Sequence, residues 1–196
     1  MDDGAILAAV GGRLESAPIM GGLLKRKDTG RQAHRHEGGL VVEDKEGMVV
    51  LPYATTQLFT TLSPLSAEGD EPPDDARWTF VRQDGARWKT GTLKRTTPLA
   101  ALCDRAARFS AEVRLALARE RLAAGESVDF GLAVANAQDV LVHGQQSPLP
   151  WSAVTSIDHT GYESAWLTTA DGEELMLDAA DVADLAVLIA LVQHRR

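Results

Sequence analysis

A single cysteine, Cys103, occurs in the 196 residues. An internal disulfide is therefore excluded, and with it any need for an oxidising compartment. Cys103 itself reads as a small core residue on a helix. No run of about 18 apolar residues is present, so no membrane-spanning helix is expected. Met1-Asp2-Asp3 is acidic where a secretory signal has a basic start, and the apolar stretch from Ala5 to Val10 is cut off by Gly11-Gly12. The expected location is the cytoplasm. Catalytic signatures are missing too. There is no Gly-x-Ser-x-Gly, and the pairs Gly11-Gly12 and Gly21-Gly22 lack the Lys-Ser/Thr of a phosphate-binding loop. The chain is read as a non-enzyme without a cofactor.

Cations are scarce in one half only. Residues 1–122 carry 18 Lys/Arg against 17 Asp/Glu, whereas residues 123–196 carry 2 against 11. The second half repels phosphate backbones, so a nucleic-acid partner is not expected. With 44% hydrophobic and 24% charged residues the composition is that of a folded globular chain.

What the sequence does contain is a weak internal duplication. Gly39-Leu40-Val41-Val42, a polar turn, Met48-Val49-Val50 and Leu51-Pro52-Tyr53 form one series. Gly131-Leu132-Ala133-Val134, a polar turn, Val140-Leu141-Val142 and Leu149-Pro150-Trp151 form the other. Each is followed by a tryptophan strand and an Asp-Gly turn: Trp78 with Asp84-Gly85, and Trp166 with Asp171-Gly172. The short apolar runs and alternation predict strands, with Trp78, Phe80 and Arg82 on one face of theirs. Residues 63–75, with Pro72-Pro73, read as an exposed insertion loop.

Each series ends in an amphipathic helix. Thr97 is the candidate N-cap, Pro98 the first helical residue and Gly125 the stop. Leu99, Leu102, Ala106, Phe109, Val113 and Leu117 predict one buried stripe. The second helix is expected from about Asp181, with Leu185, Leu188, Ile189 and Val192 as its stripe. Residues 1–37 are read as an N-terminal segment with a short helix and added strands, 38–125 as the first module and 126–196 as a second, shorter one.

A β-meander closed by one amphipathic helix, present twice, resembles the pleckstrin-homology-like (PH-like) superfold and certain bacterial proteins of that type. The resemblance rests on the Gly-Leu strand, the Leu-Pro-Tyr or Leu-Pro-Trp element, the tryptophan strand, the Asp-Gly turn and the helix, and covers residues 38–196. It implies an α+β fold of two PH-like modules, each an antiparallel sheet or partial barrel closed by its C-terminal helix, and it implies ligand binding. The second module departs from the pattern: five strands are legible where the superfold has seven. Its first strands are either lost or supplied by residues 1–37.

The leading reading is a non-catalytic binding or scaffold role in which either sheet edge recruits a protein partner or a second copy of the chain, a homo-oligomer, with Tyr53 and Trp151 as candidate partner contacts. Tyr53, Trp151, Trp78, Trp88 and Trp166 all read first as core residues in strands; of these Trp151, after Pro150, is the one expected to be partly exposed and able to anchor a partner. The alternative is a peripheral adaptor at an anionic membrane. Lys25, Arg26, Lys27, Arg31 and Arg35 are its candidate headgroup or anion ligands, since basic residues around the first hairpin clamp phosphate in lipid-binding members of the superfold. A small enzyme with an unrecognised site is the third reading. His34 and His36 share a strand face, but zinc needs at least three ligands and His143, His159 and Cys103 are remote in sequence, so no metal is expected.

Overall fold

The computed structural model describes residues 3–20, 28–44, 47–63, 75–159 and 164–194. The protein is α+β, with several antiparallel sheets and no closed barrel among the described residues. It divides into two compact units, Met1–Leu58 with Ala76–Ser110, and Phe59–Asp75 with Ala111–Arg196.

In the first unit, α1 (Asp3–Ala9) precedes β1 (Arg13–Met20), β2 (Asp28–His36), β3 (Gly39–Asp44) and β4 (Gly47–Pro52), which pair in that order. A 3₁₀ turn at Tyr53–Thr55 leads into β5 (Thr56–Ser63), β6 (Asp75–Arg82) and β7 (Arg87–Lys89), a second sheet to which the two-residue β8 (Leu93–Lys94) adds on β6. Then comes α2 (Pro98–Ala123); its residues from Ala111 onward, like Phe59–Ser63 of β5, belong to the second unit. Period-two alternation decides what each strand buries. Val41 pairs with Val50, and Ile6 of α1 and Val10, the residue just past its end, pack on that pair. Leu40 and Leu51, paired one residue along, turn to the opposite face and are fully buried. Trp78, Phe80 and Arg82 are buried on β6 as the alternation predicts, and Phe80 stacks on Trp88 with ring centroids 5.8 Å apart. Residues 1–37 thus supply strands to the first four-stranded sheet.

The second unit repeats the order. β9 (Val128–Asp129), β10 (Ala133–Ala135), β11 (Asp139–Val142) and β12 (Leu149–Pro150) form a four-stranded sheet. A 3₁₀ turn at Trp151–Ala153 follows, then β13 (Val154–Asp158), β14 (Ser164–Thr169) and β15 (Glu174–Asp178) in a three-stranded sheet, and finally α3 (Leu185–His194). Among the described residues of this unit seven strands stand where five were legible. The two extra ones, β9 and β12, are two residues each and leave no periodicity to read. The core joins Phe130, Leu167, Leu177, Leu188 and Leu191 to Ala118 and Leu122 of α2.

Registers correct the alignment drawn from sequence. Pro52 pairs with Gly39, and Pro150 with Asp139. Arg35 pairs with Leu40, and Ala135 with Val140. Counted back from the Leu-Pro-aromatic element, β3 therefore corresponds to β11, and matching Gly39-Leu40 with Gly131-Leu132 is one strand out. Glycine is required at both positions for unrelated reasons. A Cβ at Gly39 would meet Val10 Cγ1 at 2.7 Å and Leu51 O at 2.9 Å, whereas Gly131 has φ +76° and lies against Asp181 O, 2.3 Å from such a Cβ.

The turns and helix starts recur in backbone detail. Gly85 N–H donates to Arg82 O (2.9 Å) and Gly172 N–H to Thr169 O (3.1 Å); Arg82 N–H donates to Ala86 O (2.8 Å) and Thr169 N–H to Glu173 O (2.9 Å). At the start of α2, Thr97 Oγ1 accepts from Ala100 N–H at 3.2 Å. The matching residue before α3 is Asp184, which has φ +50° and whose carbonyl accepts from Val187 and Leu188 N–H. α3 thus begins at Leu185 rather than near Asp181.

The helix stripes also differ from expectation. Leu99, Leu102 and Ala106 are buried, but Phe109 is 41% and Val113 37% exposed. The buried line instead runs through Ala106, Ser110, Ala118 and Leu122, with Arg114 on the same line. An all-apolar rule misses it because two of its members are polar. On α3 the buried residues are Val187, Leu188, Leu191 and Val192, with Leu185 and Ile189 only partly covered.

Candidate functional site

Of the basic residues singled out from sequence, Lys25, Arg26 and Lys27 lie outside the described residues. Arg31 and Arg35 are on β2 and half-buried. Arg35 is committed within its own unit. Its Nε donates to Glu15 on β1, and its guanidinium carbon lies 4.7 Å from the centroid of the Phe109 ring on α2. Arg105, one turn before Phe109, grips the same carboxylate with Nη2 at 2.6 Å and Nε at 2.9 Å. Hydrogen bonding from Arg105 holds the Glu15 carboxyl below its usual range; burial opposes this, and Arg35 adds to it. One carboxylate thus ties β1 and β2 to α2.

The histidines sit on the opposite face of the same strands. Ser16 Oγ and His34 Nδ1 are 2.7 Å apart, and His34 Nε2 lies 3.5 Å from Glu43 Oε2, too far for a hydrogen bond. His34 is 2% exposed, while Ser16 stands open on the edge strand β1. His36 Nδ1 is 2.9 Å from the Gly11 carbonyl. The described residues contain no group of three or more His, Cys, Asp or Glu side chains arranged to hold a metal ion.

Both aromatic partner-contact candidates are buried. Tyr53 is 2% exposed; burial raises its hydroxyl pKa to about 12, against the pull of the nearby Arg35 guanidinium, which is not in hydrogen-bonding geometry with it. Trp151, expected to be partly exposed, is 8% exposed, and its indole N–H donates to Asn136 O at 2.8 Å. The reason is local. Pro52 and Pro150, at φ −64° and −56°, each lead into a 3₁₀ turn that swings the next aromatic into the core. Neither ring is available to a partner in the folded unit. Burial of Cys103 likewise pushes its thiol pKa up to about 12.

A partly exposed tryptophan lies instead on the outward face of the β13–β14–β15 sheet. Registers place Trp166 between Asp158 on β13 and Met176 on β15. Thr168 and Glu174 form the neighbouring pair, and Ser164 and Asp178 the next. Met176 is 62% exposed, Trp166 is half-buried, and Asp158, Glu174 and Asp178 are exposed. Ser156 donates its hydroxyl to Asp158 Oδ2 at 2.8 Å. Sequence reading placed Trp166 in the core. The signal that could have moved it was parity, since Ala165, Leu167 and Thr169 are the inward residues of β14. The second unit also has a shallow groove of about 480 Å³ over Leu122 and Leu191, with Arg119 and His194 at its rim.

No helix of the described residues is long and apolar enough to cross a membrane. The chain matches no protein-family model and is not significantly similar to any curated protein.

Proposed function

We propose that the chain is a non-catalytic binding or scaffold protein assembled from two copies of one PH-like unit, and that it engages a protein partner through a sheet face. The duplication is supported by the common order of four strands, a 3₁₀ turn, three strands and a helix, to which the first half adds only the two-residue β8 before its helix. Separations in sequence agree with it: 98 from Pro52 to Pro150 and 87 from both Asp84 to Asp171 and Thr97 to Asp184. The change from 98 to 87 falls where β5 and β6 are joined by a longer segment than β13 and β14.

The single observation that carries the binding role is Trp166 beside Met176 on an outward sheet face. Apolar side chains grouped on a solvated face do nothing for the core, and large aromatics there are the usual anchors of protein contacts. Replacing Trp166 and Met176 by serine is expected to leave the melting temperature nearly unchanged and to remove a cross-linked complex formed in cells by the unaltered chain. A large fall in melting temperature, or an unaltered cross-linking pattern, would refute the reading. The membrane-adaptor alternative loses one cation, because Arg35 is already held by Glu15 and Phe109. The enzyme alternative would draw on Ser16 and His34, whose serine stands exposed on an edge strand.

A further inference from the structure

Resting on that binding role, we infer that the Trp166 face docks a cationic protein segment, one that lays Lys or Arg side chains across the ring and pairs their heads with Asp158, Glu174 and Asp178. Charge complementarity is the ground. Neither Lys nor Arg occurs anywhere from residue 122 to residue 194, so the sheet supplies no cation of its own to these three carboxylates. They sit in register around one indole and one flexible thioether. Lys and Arg are the side chains that suit both parts, because their methylene stems lie on apolar surface while the head stays at the wet rim. The indole face attracts a cation through its quadrupole. An anionic lipid surface or a nucleic-acid backbone would be repelled by the same carboxylates.

The spacing narrows the partner further. Glu174, Met176 and Asp178 share one face of β15 at every second residue, about 7 Å apart at strand rise. An extended segment lying along β15 matches them with cation, apolar residue and cation at positions i, i+2 and i+4.

The test uses the full chain and two fluorescein-labelled peptides. One carries Lys, Leu and Lys at alternate positions with Ser between; the other carries Glu, Leu and Glu. Fluorescence anisotropy should show the Lys peptide binding at least tenfold more tightly than the Glu peptide, with affinity falling steeply as salt rises. Trp166→Ser should cut that affinity about tenfold, and the surface pair Glu174→Gln with Asp178→Asn should flatten the salt dependence while keeping the melting temperature. Equal binding of the two peptides overturns the charge assignment but leaves a binding face in place. Failure of both peptides to bind overturns the docking site altogether. A dimer seen by sedimentation and abolished by Trp166→Ser overturns it in favour of a second copy of the chain.

Discussion

The β6–β7 and β14–β15 hairpins share one backbone and differ in what lies beneath it. Both turn at Asp-Gly, both make the same two hydrogen bonds, and Gly85 and Gly172 take nearly the same φ, +88° and +86°. In the first unit the residue before the turn is Arg82. It is 7% exposed, it grips Asp84 at 2.8 and 2.9 Å, and it reaches across to Val50 O at 2.6 Å. In the second unit the same place is held by Thr169, whose hydroxyl reaches only Asp171 and Glu173 O. Helix starts contrast the other way. Thr97 caps α2 by itself, whereas Asp184 before α3 is 5% exposed and is held at Oδ2 by Arg114 Nε at 3.0 Å and Nη2 at 2.9 Å. Backbone geometry follows short local motifs. Which unit buries an arginine, and where, is decided by packing.

The contrast can be broken from either side. The largest effect is expected for Arg114→Met, which takes its guanidinium partner from a carboxylate of 3% side-chain exposure. Loss of one partner of a buried pair costs about 3–5 kcal/mol, measured as a drop in chemical-denaturation midpoint. Gly131→Ala should follow at about 3 kcal/mol, because it adds left-handed strain to a collision with Asp181 O; a loss below about 1 kcal/mol would show that the loop relaxes. Arg82→Met leaves the buried Val50 carbonyl without its donor and should cost about 1–3 kcal/mol. Thr97→Ala removes a cap and should cost about 1 kcal/mol, visible in helical circular dichroism.

Acid should sharpen the comparison further. Asp84 is held down to about 2 by Arg82, and Glu15 lies below its ordinary value through Arg105. Carboxyls depressed by folding stabilise above their unfolded values and lose that contribution as protons are forced on. Melting temperature should therefore fall as pH drops from about 5 towards 2, and Asp84→Asn should flatten that fall.

Much of this was legible in the chain. The Asp-Gly hairpins, the Thr97–Pro98 helix start, the Gly125 stop and the buried alternation of β6 all follow from local chemistry, and each is present. The strands β9 and β12 were not, because a two-residue strand exists only through its neighbour. The site fared worst. Tyr53 and Trp151 are in the core, as their residue type suggests, and the partial exposure expected of Trp151 after Pro150 is undone by the proline-led turn that buries it. Trp166 was assigned to the core by residue type, whereas its parity on β14 turns it outward. Ser110 and Arg114 lie on the line that α2 buries, and the apolar stripe read from sequence includes neither.

The sequence by itself determined the α+β class, the recurring turn and helix signals, and the near-absence of cations after Arg121, because these depend on residue type and on neighbours a few positions away. Only the tertiary structure decided which side chains face water. It turned Trp151 inward and Trp166 outward, and it set Arg35 against Glu15 and Phe109. Exposure belongs to a packed surface, and strand register, which is fixed by partners far away in the chain, is what sets it.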